Sequence, residues 1–180
     1  CGANVTVSAT ATDNCTVGNP VGVRSDAKLL TDVYPVGNTT ITWNVSDANG
    51  NAATAVTQTV TVTDNEIPVI ASNGDQTVNT DSGICGANVT VSATATDNCT
   101  VGTPTGVRSD AKLLTDVYPV GITTITWNVS DANGNAATAV IQTITVIDNI
   151  LPMVVTKNIT VQLDVLGNAS ILASDVDNGS

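Results

Sequence analysis

"GITTITWNVSDANGNAATAVIQTITVI", residues 121–147, predicts two β-strands joined by a tight turn. Apolar and polar residues alternate on both sides of the turn, as expected of strands with one face in a core. The turn itself, "DANGN" at 131–135, is rich in the residue types that tolerate hairpin backbone conformations. The residues expected to face the core are Ile125, Trp127, Val129, Val140, Ile144 and Val146.

The same hairpin sequence occurs twice. Residues 1–70, the first copy, align without a gap with residues 85–154, the second copy, at an offset of 84. Ten positions differ and 60 are identical, which indicates a recent duplication. "DNEIP" (64–68) and "DNILP" (148–152) are the predicted linkers, because proline cannot join a central strand.

These linkers divide the chain into three predicted segments. Residues 1–64 form a first repeat without its opening strand, 65–148 a complete unit, and 149–180 the opening strands of a diverged third repeat. The fold class is therefore all-β, with tandem immunoglobulin-like antiparallel β-sandwiches in a head-to-tail array. Such a pattern is expected of an excerpt of a longer protein or of the repeating segment of a filament. In the complete unit, strands are expected near 76–80, 87–96, 104–109, 113–118, 124–129 and 137–147.

Composition excludes several functions. The net charge is −11 and no basic stripe exists, so the chain would repel a nucleic-acid backbone. No apolar run approaches the roughly 20 residues of a membrane span, so we expect no membrane insertion in this segment. Histidine is absent and aromatic residues are 2%, which removes the usual base for a nucleophile and the usual platforms for sugars. We therefore predict that the protein is not an enzyme.

Several motifs, in this order, resemble the hyalin-repeat (HYR) family, an immunoglobulin-like module. They are "ATDNC", "YPVG" followed by "TTITW", "SDANGNAAT" and "TVTVTDN", and both copies carry versions of them. Near-identical arrays with "CGANVTV" and "ATDNC" look like those in giant cell-surface adhesins or filaments of Bacteroidota-type bacteria. The resemblance implies an extracellular location at the cell surface. One departure is that many HYR modules carry a cysteine near the start of the final strand, where this chain has "AATAVTQ" and "AATAVIQ".

Each copy carries two cysteines, Cys1 and Cys15, then Cys85 and Cys99, which predict disulfides and an oxidising compartment. Pairing within a copy would need the chain to double back, because a continuous strand over 87–96 separates its ends by about 30 Å. A disulfide requires Cα atoms within about 7 Å. Pairing between neighbouring repeats would instead join Cys1 of one unit to Cys99 of the next. Both pairings remain open at this point.

Three polar loops should meet at one pole of the second unit, if its strands run as in an immunoglobulin sandwich. Their carboxylate and amide oxygens are the ligand type that Ca²⁺ selects, with six to eight donors at about 2.3–2.6 Å. A bound Ca²⁺ would neutralise repulsion and make the linker rigid; the alternative is that these are ordinary turn residues. The candidate metal ligands are Asp64, Asn65, Glu66, Asp97, Asp131 and Asn133.

Four polar residues of the first copy, Asn38, Thr57, Thr63 and Glu66, are isoleucine in the second, at Ile122, Ile141, Ile147 and Ile150. Exposed apolar residues often mark contacts, so these isoleucines form a candidate assembly face. Drift among β-favoured residues, or packing against the diverged third unit, would also explain them.

Two functional hypotheses follow. The first is a structural segment of an extracellular stalk, adhesin or filament, whose partners are neighbouring repeats or further copies of the chain. The second is an adhesion module that binds a glycan or a surface protein.

Overall fold

The computed structural model describes residues 1–176, and within them the chain is nearly all β. This confirms the predicted all-β class. The one helix of the described residues, α1, spans Ala173–Val176 and is a single turn. The strands are β1 Gly2–Ala3, β2 Val21–Arg24, β3 Tyr34–Pro35, β4 Gly37–Asn44, β5 Val56–Val62, β6 Val69–Ser72, β7 Gln76–Asn79, β8 Gly86–Ala87, β9 Ala93–Thr96, β10 Thr105–Arg108, β11 Tyr118–Pro119, β12 Gly121–Asn128 and β13 Val140–Ile147.

The largest sheet has four strands in the order β10-β12-β13-β7. β12 and β13 are the hairpin predicted from the sequence, and they pair antiparallel with Trp127 opposite Val140. β7 runs parallel to β13, whereas the other pairings are antiparallel. Ile125 and Ile144 are fully buried and Trp127 is 3% exposed, so the predicted inward face is the one that packs.

The core of the complete unit, residues 65–148, lies between this sheet and two shorter antiparallel pairs, β6–β9 and β8–β11. Because each strand buries alternate residues, no strand contributes more than two buried hydrophobic side chains to it. The buried members are Ile70, Ala87, Tyr118, Ile125, Trp127, Val129, Ile144 and Val146.

The first copy forms the equivalent three-stranded sheet, β2-β4-β5. Val21 pairs with Asn44 as Thr105 pairs with Asn128, so the register repeats at the offset of 84 residues. β1 pairs with β3 as β8 pairs with β11. No strand pairs with the outer edge of β5 among the described residues, although β7 covers that edge of β13.

A buried arginine anchors the loop after β10. Arg108 is 3% exposed, and its guanidinium lies 3.8 Å from the centre of the Tyr118 ring. Two nitrogens hold the Asp110 carboxylate at 2.9 and 2.6 Å, a bidentate ion pair. Nη1 donates to the carbonyls of Leu113 and Asp116 at 2.9 and 2.8 Å. No motif in the sequence pointed to this arginine.

These contacts correct one predicted strand. Residues 113–118 form turns up to Tyr118, because their carbonyls accept hydrogen bonds from Arg108 in place of a neighbouring strand. In the first copy Arg24 makes the same contacts with Tyr34 and Asp26.

The predicted strand over 87–96 is also divided. β8 ends at Ala87 and pairs with β11, whereas β9 begins at Ala93 and pairs with β6. β6 itself was missed, because the proline before it indicated only a linker. It begins at Val69, directly after Pro68. Proline has no backbone N–H, but because Pro68 lies before the strand, no hydrogen bond between strands is lost.

The predicted opening strands of a third repeat, in 149–180, do not form in the described part of that segment. Residues 148–172 contain no strand, and α1 follows them. A strand is stable only when a neighbour satisfies its backbone groups, and this segment has no neighbouring strand among residues 1–176. Residues 177–180 lie outside the described part, and the assignment of a third repeat stays a prediction.

Candidate functional site at the junction of the two copies

Three loops come together where the first copy meets the second. They are the linker at 64–66, the loop before β10 at 97–99, and the hairpin turn at 131–135. The hairpin turn is closed by its own backbone, since Asp131 N–H donates to the Asn135 carbonyl at 3.0 Å. The loop before β10 lies beside this turn, because Val101 forms a bridge with Asp131.

A disulfide crosses this junction. Cys1 and Cys99 are bonded, with Cα atoms 4.7 Å apart and a sequence separation of 98. Of the two pairings that the sequence left open, the structure therefore contains the one between copies. Cys15 and Cys85 are free and exposed in the structure.

Three carboxylates converge beside the disulfide. Asp64, Asp97 and Asp131 each offer an oxygen, and these oxygens lie within 4.8 Å of one another. Asp131 is 8% exposed, and the other two are partly buried. The ion pairs that the structure shows within residues 1–176 join arginine to Asp26 or Asp110, so neither arginine neutralises this cluster.

Asp131 is held by its own turn. Its Oδ1 accepts the backbone N–H groups of Asn133 and Asn135 at 2.9 and 2.7 Å, and its Oδ2 accepts the Asn135 amide at 2.7 Å. Burial raises the pKa of Asp131, but these hydrogen bonds outweigh burial and leave that pKa below its ordinary value. The group therefore carries a negative charge at neutral pH.

Asp64 connects the linker to the hairpin turn. Its Oδ2 accepts the Asn133 amide at 2.9 Å, and its backbone carbonyl accepts the Asn135 amide at 3.1 Å. In the same linker, Glu66 Oε2 accepts the Asn98 amide at 2.6 Å. The linker is thus bonded to both of the other loops.

Asp97 contributes the unsatisfied atom of the cluster. Its Oδ1 accepts the backbone N–H of Cys99 at 2.8 Å. Its Oδ2 is buried and has no hydrogen-bond partner in the structure. A buried carboxylate oxygen without a donor is costly, and an additional positive group would satisfy it.

The predicted ligand set is therefore brought together only in part. Asp64, Asp97 and Asp131 share the cluster, while Asn133 contacts Asp64 through its amide nitrogen. Glu66 is exposed and bonds to Asn98, outside the three-carboxylate group. Asn65 is exposed and is likewise outside this group. Asn135, which was expected at this pole but not among the ligands, donates to the Asp64 carbonyl and to Asp131 Oδ2.

The candidate assembly face lies on the outer side of the large sheet. Ile122, Ile141 and Ile147 are 72%, 65% and 45% exposed. Ile122 pairs with Thr145, which places it diagonally next to Ile147, whereas Ile141 lies toward the other end of β13. Ile150 is 58% exposed and follows β13 in the second linker.

Two curated proteins are similar to this chain. Hyalin of Lytechinus variegatus is 36% identical over 141 residues, which cover 73% of this chain and 24% of that protein. Hyalin of Strongylocentrotus purpuratus is 30% identical over 130 residues, 68% of this chain and 10% of that protein. This chain carries a hyalin-repeat-like sequence.

The hyalin-like region spans about a quarter or less of these relatives' lengths. No family model matches the chain. Within the described residues, the structure holds no helix with the length and apolar character that crossing a bilayer requires.

Proposed function

We propose that this chain is a structural segment of an extracellular assembly, in which sandwich modules follow one another head to tail and provide length and rigidity. The observation that carries the proposal is the junction, where the Cys1–Cys99 bond lies beside the contacts of Asp64 with the hairpin turn. Modules joined by a bare linker would move independently, whereas a covalent bond and a polar contact restrain both position and rotation.

The extracellular location rests on two supports. Disulfides persist in oxidising compartments, and the similar proteins are hyalins. A role in cell adhesion, as part of a stalk or filament on a bacterial surface, is consistent with the repeats described above.

Small-angle scattering tests the rigidity directly. We expect the monomeric C15S/C85S variant to show one well-defined maximum dimension. Removal of the junction bond by C1S/C99S in that background should broaden the distance distribution. Identical scattering profiles for the two variants would contradict the proposed role of the junction.

We further propose that the junction binds a divalent cation, Ca²⁺. Asp64, Asp97 and Asp131 supply the hard oxygen donors that this ion prefers, and the buried Oδ2 of Asp97, which accepts no hydrogen bond, is available as a ligand. The ion would remove the repulsion among the three carboxylates and join the linker to two loops of the second copy.

Thermal unfolding with Ca²⁺ and with a chelator tests this part. We expect a higher Tm in Ca²⁺ for the unchanged chain. Asp97→Asn should remove that increase and raise the Tm in chelator, because it relieves the repulsion while its Oδ1 can still accept the Cys99 N–H. Asp13→Asn is the matched control, since Asp13 is the equivalent residue of the first copy and lies outside the cluster. Equal Tm values of the unchanged chain in both conditions would refute Ca²⁺ binding.

A second candidate function, adhesion to a glycan or protein partner, is favoured by the exposed isoleucines of the second copy. The first copy has polar residues at the equivalent positions. The triple variant I122N/I141T/I147T therefore gives this face of the second copy the residues that the first copy has. We expect this triple variant to lose retention on cells of the source while its Tm stays unchanged. Unchanged retention would reject this face as the contact.

A further inference from the structure

Asparagine followed by glycine is prone to deamidation, because glycine has no side chain to shield the backbone nitrogen that attacks the asparagine amide. Three such pairs lie within residues 1–176: Asn49–Gly50, Asn73–Gly74 and Asn133–Gly134. A fourth, at 178–179, lies outside the described part of the chain. The pairs contain the same reactive atoms, so the way in which the fold holds each asparagine decides how readily that pair reacts.

Asn133–Gly134 lies in the hairpin turn of the junction. Both residues are exposed, so water reaches them. A Cβ added at Gly134 would meet no atom within 4 Å, which shows that the space around this residue is open. The Gly134 N–H donates to the Asp131 carbonyl at 3.4 Å, beyond the usual limit of about 3.2 Å, so its nitrogen is held only weakly. The side-chain hydrogen bond that the structure shows for Asn133 runs from Nδ2 to Asp64 Oδ2 at 2.9 Å.

Asn73–Gly74, between β6 and β7, provides the comparison within the same fold. The Oδ1 of Asn73 accepts hydrogen bonds from Gln142 Nε2 at 2.7 Å and from the Ser92 N–H at 3.2 Å. Its Nδ2 donates to the Thr90 carbonyl at 3.1 Å. Rotation of this side chain toward the Gly74 nitrogen would break three hydrogen bonds, one of them to the fully buried Gln142. The fold therefore locks Asn73 in place.

We propose that Asn133 is a modification site that deamidates without an enzyme, and that the carboxylate formed there makes the junction dependent on a divalent cation. The dependence on a cation rests on the proposed Ca²⁺ site. The selective reaction of Asn133 does not, because it follows from the hydrogen bonds of the two asparagines.

The reaction needs only water. The Gly134 nitrogen forms a bond to Cγ of Asn133, the bond from Cγ to Nδ2 breaks, and the amide leaves as ammonia with the proton of the Gly134 N–H. Water then opens the resulting cyclic imide at either carbonyl and leaves aspartate or isoaspartate at position 133. Because ammonia is lost, the change accumulates with the age of the chain.

The product alters the contact between the hairpin turn and the linker. Asn133 donates a hydrogen bond to the Asp64 carboxylate, whereas an ionised carboxylate at the same position would repel it. The new group would also lie beside the cluster of Asp64, Asp97 and Asp131. Ca²⁺ selects hard oxygen ligands and takes six to eight of them. The same change therefore weakens the junction without the ion and adds a ligand when the ion is bound.

Peptide mapping of the unchanged chain after prolonged incubation tests the selectivity. A protease that cleaves before aspartate places the three pairs in separate peptides, 47–63, 64–74 and 131–147, and fragmentation assigns the modified residue. We expect deamidation at Asn133 to be at least about tenfold faster than at Asn73, because two additional hydrogen bonds oppose the reaction there. In urea the difference should disappear. Equal rates in the folded chain, or a difference that persists in urea, would overturn the proposal.

Thermal unfolding of Asn133→Asp tests the consequence. In chelator its Tm should lie roughly 2–4 °C below that of the unchanged chain, the effect of one lost polar contact in a chain of this size. Addition of Ca²⁺ should raise its Tm by more than it raises that of the unchanged chain. Asn133→Ser is the matched control, since it loses the amide donor, adds no charge and should show no larger response to Ca²⁺ than the unchanged chain.

This inference and the proposed Ca²⁺ site can fail separately. Equal Tm values of the unchanged chain in Ca²⁺ and in chelator would refute the site in the unmodified protein. The peptide map and the comparison of Asn133→Asp with Asn133→Ser decide the present inference. It is overturned if the two variants respond equally to Ca²⁺, or if Asn133→Asp is as stable in chelator as the unchanged chain.

Discussion

Removal of the Cys1–Cys99 bond should cost a large part of the stability of this chain. The bond closes a loop of 98 residues, and the chain-entropy relation gives about 4.7 kcal/mol for a loop of that length. In a protein of this size each kcal/mol shifts the Tm by about 2–4 °C, so the expected decrease is roughly 10–20 °C.

The Tm of the C15S/C85S variant is compared with that of the variant that lacks all four cysteines. Thermal unfolding is followed by circular dichroism. The C15S/C85S background prevents the free thiols from forming new bonds with each other or with Cys1 or Cys99. A decrease in Tm of less than about 2 °C would show that the bond does not restrict the unfolded chain to the extent that the loop length predicts. Mapping a disulfide within one copy would refute the pairing itself.

Three further predictions follow from the core. Ile70→Ala should cost about 2–5 kcal/mol in urea unfolding, because Ile70 is 8% exposed, whereas Val154→Ala in the isolated chain should cost almost nothing. Gly106→Ala should destabilise by about 1–3 kcal/mol, since a Cβ there would lie 2.9 Å from the core tryptophan ring; an unchanged Tm would contradict this packing. The hydrogen bond from Arg108 lowers the pKa of Asp110, so that carboxylate stabilises the fold above its unfolded pKa of about 4 and loses this effect as the pH falls through its folded pKa. The stability difference between Asp110→Asn and the unchanged chain should therefore narrow in acid, and a pH-independent difference would argue against the ion pair.

The sequence predicted the β12–β13 hairpin because period-two alternation and a turn sequence are local signals. It did not predict β6, since the strand is short, follows a proline and is defined by its pairing with β9. It also placed a strand over 113–118, because it could not show that Arg108 would take the carbonyls of that loop. Pairings over long distances in the chain are set by packing, which composition and periodicity do not record.

The candidate site was predicted by residue type and by the expected meeting of loops. The structure brings three of the six predicted ligands together and leaves Asn65 and Glu66 outside the carboxylate group. Whether a side chain in a loop points toward its neighbours depends on the local backbone. The unsatisfied Oδ2 of Asp97 is a property of packing that residue type and spacing cannot reveal.

The position of the disulfide also determines how tension would pass through the molecule. A pull applied at Cys1 is transmitted through sulfur directly to Cys99, so residues 2–98 carry no load while the bond is intact. Those residues hold roughly 330 Å of extensible chain, at about 3.4 Å per residue. Reduction would return the load to residues 2–98, whose sheet β2-β4-β5 would have to unfold before that length is released, so the redox state of one bond decides whether this part of the chain bears tension.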